Sequence, residues 1–110
     1  MNAEIVVTPL AEPITDLTRT WLRSKFRHEI ASGRLRHVVD LSELSEMDTK
    51  TLSELIRMRR WVREVGGFVH LIVQAPNVLE ILAIAGLDRL FAVFATRRAA
   101  FAAIAPAKAS

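Results

Sequence analysis

A chain of 110 residues with 51% apolar and 25% charged side chains, four glycines and four prolines has room for one core. It is too rich in core-forming residues to be disordered or fibrous. It contains no cysteine, which excludes a disulfide framework, a thiolate zinc site and a cysteine nucleophile. Against 12 Asp and Glu stand 15 Lys and Arg, and the resulting +3 is too small an excess to imply nucleic acid. The opening MNAEIVV lacks the basic-then-apolar order of a secretory signal. Residues 78–95, the most apolar stretch, are cut by Glu80, Asp88 and Arg89, which argues against a membrane span. The expectation is a cytoplasmic protein that does not insert into membranes, with one domain over residues 1–105 and a frayed tail at 106–110.

In chain order, Ile5, Val6 and Val7 predict a strand that Pro9 and Pro13 end. Over residues 16–31, Leu17, Trp21, Leu22, Phe26 and Ile30 fall near helical spacing, with Thr15 or Asp16 to cap the start and Gly33 to end it. Arg19, Arg23, Lys25 and Arg27 on the other side read as a solvated face. Residues 37–41 predict a second strand and residues 42–48 a loop. A helix over 52–65 carries Leu52, Leu55, Ile56, Met58, Val62 and Val65 in a stripe interrupted by Arg59, and Gly66-Gly67 stops it. A third strand over 68–73, a helix from Val78 ending at Gly86, a short strand within 90–94 and a closing helix over 96–105 complete the order. Strands alternating with helices through short connections predict an α/β fold with a mostly parallel sheet.

Few residues offer chemistry. His28, His37 and His70 lie in different elements without metal-ligand spacing, no Gly-rich phosphate loop is present, and no nucleophile turn appears. No enzymatic activity, metal or cofactor is expected. Arg57, Arg59, Arg60 and Arg63, with Trp61 among them, form a basic patch that reads first as an exposed face and otherwise as a surface for an acidic partner or nucleic acid, the latter without an RNA-binding aromatic signature or a helix-turn-helix to support it. The segment 46–52 is the most informative, since it follows a strand's C-terminal end and opens a helix, where α/β sheets place ligand and partner sites. A phosphate on Thr49 would lie at the positive end of the helix dipole. The same residues also serve as plain helix punctuation: Thr51-Leu52-Ser53-Glu54 fits a capping box, and Asp48 or Thr49 fits a simple cap.

The run from His37 through Asp40-Leu41 to Asp48-Thr49-Lys50-Thr51-Leu52, then Gly66-Gly67, a strand, Pro76, and Ala85-Gly86-Leu87-Asp88-Arg89-Leu90-Phe91, resembles the STAS domain family. It is similar in particular to the anti-sigma factor antagonists. The resemblance implies a single domain with a mostly parallel sheet of about four strands and helices mainly on one face; this sequence departs from it in offering one strand before the first helix where the family commonly has two. It implies Thr49 as the residue that a serine/threonine kinase phosphorylates, the kinase often being the anti-sigma factor itself. Asp48, Lys50, Thr51, Leu52, Arg57 and Arg60 are the implied partner-binding residues. Lys50 stands where the family has a small or polar residue and Thr51 where it has glycine. An uncovered edge strand is open to homodimer formation. Two other roles belong to the same family: a subunit of a lipid-transport ABC complex that contacts the transporter's ATPase, and a stressosome-like scaffold.

Overall fold

The structure, a computed structural model, describes residues 4–104. Its elements are β1 (Ile5–Ala11), α1 (Asp16–Ala31), β2 (Arg36–Glu43), α2 (Thr49–Glu64), β3 (Phe68–Ile72), α3 (Pro76–Ile84), a 3-10 turn (Leu87–Arg89), β4 (Ala92–Phe94) and α4 (Arg97–Ala103). The strands form one sheet in the order β1-β2-β3-β4, and every pairing is parallel. The STAS-like α/β architecture expected from the sequence is therefore present, four strands included.

Alternation along the strands assigns the two faces. Leu10, Val39, Leu41, Val69, Leu71 and Val73 point to the side where α1, α2 and α3 contribute Leu22, Phe26, Leu55, Met58, Val62, Val78 and Leu82. Val38 and Ile72 point the other way, where the short α4 adds Ala100 and, just beyond it, Ile104. Each fully buried leucine or phenylalanine contributes about 1.5–3 kcal/mol relative to an exposed one, so the three-helix side supplies most of the stabilisation. Asp40, on the α4 side, accepts the Ser42 N–H at 2.9 Å and Arg97 Nε at 2.9 Å, which pins the start of α4 to β2. Burial works to raise the Asp40 pKa, but these hydrogen bonds outweigh it and hold the carboxyl below its usual value.

Several sequence expectations change in detail. Pro9 does not end β1; it pairs in register with Asp40, and a strand at the sheet edge tolerates its missing donor. In α1 only Leu22 and Phe26 are buried, while Leu17 and Trp21 are exposed. The Leu17–Trp21 pair and the Leu22–Phe26 pair share a spacing of four but lie about 140° apart around the helix, so one helix cannot bury both against a single sheet. The expected strand within 90–94 shrinks to Ala92–Phe94, because the 3-10 turn after Gly86 carries the chain as far as Arg89. Gly67 is required for close approach: a Cβ there would lie 2.2 Å from the Leu35 carbonyl oxygen and 2.6 Å from Val62 Cγ2. The last expected helical residue, 105, and the tail 106–110 lie outside the described residues.

Candidate functional site

In a parallel sheet the helices that follow neighbouring strands begin at the same edge. The β1–α1 and β2–α2 connections therefore meet beyond the C-terminal ends of β1 and β2. Glu12 binds them together, its carboxylate accepting the Ser45 N–H at 3.2 Å and the Ser45 hydroxyl at 3.0 Å. Between the two connections lies an open recess of about 440 Å3 lined by Ile14, Leu44, Met47, Asp48 and Thr51 among others.

Asp48 is the N-cap of α2. Its Oδ1 accepts the Thr51 N–H at 2.7 Å, satisfying one of the donors that a helix start leaves unpaired. Its Oδ2 lies 3.4 Å from the Arg19 guanidinium, which also reaches the Thr51 hydroxyl at 3.5 Å and forms an ion pair with Asp16. The Thr51 N–H is the main reason the Asp48 carboxyl titrates below its usual value; burial opposes it, and Arg19 and Lys50 add to it. The capping box from Thr51 to Glu54 does not form. Glu54 instead turns toward α1, where Arg23 grips it with two nitrogens, and Arg57 donates to it at 3.2 Å. The hydrogen bond from Arg23 is the first cause of a lowered Glu54 pKa, exceeding the opposing effect of burial.

The structure thus separates the sequence-derived residues into two groups. Thr49, the first residue of α2, is exposed, as are Asp48 and Lys50 beside it. Among the described residues none bonds to the Thr49 hydroxyl, which stands open to solvent at the positive end of the helix. Thr51 and Leu52 face inward, Thr51 toward Arg19 and Leu52 into the three-helix core. Arg57 and Arg60 are exposed further down α2, about 12 and 16 Å along the axis from Thr49 at 1.5 Å per residue.

Arg19 is the site residue that sequence reasoning missed. Its side chain is only 11% exposed, although its helical position read as solvated, because α1 turns its basic face toward the acids of α2. Arg27, also read as solvated, lies 4.8 Å over the Trp61 ring. The available signal was a pair of complementary runs: Arg19 and Arg23 four apart on one helix, and Asp48 and Glu54 at the start of the other. Among the described residues no cluster of His, Asp and Glu has the makings of a metal site, and no helix is long and apolar enough to cross a membrane.

A four-stranded parallel sheet with three helices on one face is the architecture expected of a STAS domain. The chain belongs to that family, whose model matches residues 2–100. The solved structures it resembles include the crystal structure of an anti-sigma factor antagonist from Mycobacterium paratuberculosis, with 19% identity and a TM-score of 0.80 over 94% of this chain and 88% of that one. A Thermotoga maritima protein described as a candidate anti-sigma factor antagonist is similar at 20% identity, with a TM-score of 0.75 over 93% of this chain and 88% of that one. An NMR structure of that same Thermotoga maritima protein is similar at 19% identity, with a TM-score of 0.77 over 94% of this chain and 83% of that one. Among curated proteins none matches the sequence.

Proposed function

We propose that this chain is an anti-sigma factor antagonist, a protein-binding module that sequesters an anti-sigma factor and is switched by phosphorylation of Thr49. The observation that carries this reading is the exposure of Thr49 at the first turn of α2, flanked by Asp48 and Lys50, in a fold shared with anti-sigma factor antagonists. In the unmodified state the partner docks on the start and outer face of α2, with Asp48, Lys50, Arg57 and Arg60 as contact residues. Thr51 and Leu52 act from behind, holding the helix start against Arg19 and the core.

Phosphorylation transfers the γ-phosphoryl group of ATP to the Thr49 hydroxyl oxygen, with loss of the hydroxyl proton and release of ADP. The kinase is the anti-sigma factor itself. The added charge of about −1.5 to −2 is tolerated within the fold, where the helix dipole and Lys50 favour it. It is not tolerated at the contact, because the adjoining Asp48 is already anionic and burying both charges against a partner carries a large desolvation cost. The modified chain therefore dissociates.

The test is to incubate the purified chain with the anti-sigma kinase and ATP and to map the phosphate by mass spectrometry. The reading predicts one phosphate, on Thr49, absent from Thr49→Ala, and a modified chain that no longer binds the kinase. A phosphate elsewhere, or a phosphorylated chain that binds as before, overturns it.

A further inference from the structure

The lower half of α2 borders a second depression, away from the helix start. It is an open groove of about 490 Å3 lined by Ile56, Arg59, Arg60, Arg63, Glu64 and Leu90. Arg59 is among its lining residues: its Nε donates to the Leu90 carbonyl at 2.6 Å and its guanidinium lies 6.0 Å from the Phe91 ring, so it links α2 to the segment that follows the 3-10 turn. Arg60 and Arg63 are exposed, and among the described residues neither has an acidic or hydrogen-bonding partner. The other arginines of α1 and α2 are engaged: Arg19 and Arg23 by carboxylates, Arg57 by Glu54, Arg27 by Trp61. Leu90 is 40% exposed and Ile56 partly so, which leaves an apolar strip between the charges.

Thr49, Ile56, Arg60 and Arg63 follow one another at intervals of seven, four and three, and so lie on one side of α2. The groove is thus continuous with the Thr49 surface, spanning about 21 Å of helix from Thr49 to Arg63.

We propose that this groove seats an acidic amphipathic segment of the partner protein, whose carboxylates pair with Arg60 and Arg63 and whose aliphatic side chain enters between Ile56 and Leu90. The proposal takes a protein partner from the function proposed above and adds the chemistry of its contact. Guanidinium forks match carboxylates bidentately, and two unpaired forks beside an apolar strip match a segment carrying acids on one flank of an apolar stripe. Glu64 at the rim repels acids on that side and so fixes which end of the groove receives them. A nucleic acid strand is a poorer fit: the groove offers no open aromatic ring for a base, since Arg27 covers Trp61, and Glu64 repels phosphate.

The experiment uses two short helical peptides with the same apolar stripe, one carrying Glu and the other Lys on the polar flanks, together with a single-stranded oligonucleotide. Binding to the full chain is followed by fluorescence anisotropy and by amide chemical shifts. The Glu peptide is expected to bind and to shift the signals of Ile56, Arg60, Arg63 and Leu90. The double variant Arg60→Glu, Arg63→Glu, whose side chains are exposed and whose fold is checked by circular dichroism, is expected to bind it about tenfold or more weakly and to accept the Lys peptide instead. Equal binding of both peptides, shifts confined to other residues, or an oligonucleotide bound here more tightly than the Glu peptide overturns the proposal. An anti-sigma factor that binds wild type and the double variant equally overturns the groove alone. A Glu peptide seated in the groove of a chain that binds no anti-sigma factor overturns the function proposed above and leaves the groove standing.

Discussion

Arg19 and Asp48, twenty-nine positions apart in the sequence, meet at 3.4 Å where the first two helices begin. The contact makes the start of α2 a shared feature of two helices rather than a local turn. Asp48 supplies one oxygen to the Thr51 N–H and the other to Arg19, so the orientation of the exposed Thr49 depends on both.

Asp48→Ala removes the cap and the ion pair together, and is expected to cost about 1 kcal/mol, a typical loss for an N-cap. At this chain length that lowers Tm by about 4–8 °C. Asp48→Asn keeps the oxygen that accepts the Thr51 N–H and loses only the attraction to Arg19, so its loss is smaller. Urea unfolding of the two variants checks the order; equal losses would show that the charge, not the cap, holds the helix start.

Glu54 is nearly buried, whereas Arg23 and Arg57, which hold it, are 37% and 46% exposed. Glu54→Ala therefore leaves two cations that water can still reach, and the expected loss is about 1–2 kcal/mol, below that for breaking a fully buried pair. Arg57→Ala leaves the Arg23 grip intact and is expected to lie within about 0.5 kcal/mol of wild type. A large loss from Arg57→Ala in chemical denaturation would contradict this division.

Stability should fall in two stages as pH drops. His37 stacks on Phe26, with ring centroids 4.3 Å apart, and its Nε2 donates to the Arg34 carbonyl at 2.8 Å. Burial drives its pKa below the ordinary 6.5; the Arg34 carbonyl and Glu29 oppose this, and Lys25 reinforces it. A folded value below the unfolded one means that the unfolded chain takes up the proton first, so stability is full above about pH 6.5 and is lost as pH falls through it. Asp40, Asp48 and Glu54, all lowered, contribute stability present above about pH 4 and lost below. Thermal unfolding across pH should show a shallow decline below 6.5 and a steeper one below 4. In His37→Gln the shallow decline shrinks, leaving the part due to His70, whose pKa burial also lowers. A Tm that rises between pH 7 and pH 5.5 would contradict this assignment.

Gly67→Ala should destabilise by about 1–3 kcal/mol, the usual cost of overpacking a tight site. The added methyl would strike the Leu35 carbonyl, which is already committed to the Phe68 N–H at 3.0 Å and cannot move without loosening the start of β3. Differential scanning calorimetry checks it.

What the sequence made legible was whatever depends on local chemistry. The β-branched residues Val38 and Val39, the Thr15 cap, the Gly66-Gly67 stop and Pro76 at the first turn of α3 each carry a physical reason for the element they mark. Thr49 was legible as the opening of a helix after a strand. The packing between helices was not. Leu17 and Trp21 are apolar at helical spacing, yet the side of α1 that is buried is settled by where Leu22 and Phe26 meet β2 and α2, a non-local matter. The competition for the α2 cap among Asp48, Thr49 and the Thr51–Glu54 box was likewise decided from outside, by Arg23 drawing the Glu54 carboxylate toward α1.

The most direct test of the central claim is capture from native lysate on wild-type, Thr49→Ala and Thr49→Glu baits, with captured proteins identified by mass spectrometry. The account predicts an anti-sigma factor with a kinase-type ATPase domain on the wild-type and Ala baits and its loss from the Glu bait. An anti-sigma factor held equally by all three, or a transporter ATPase held equally by all three in its place, would contradict it.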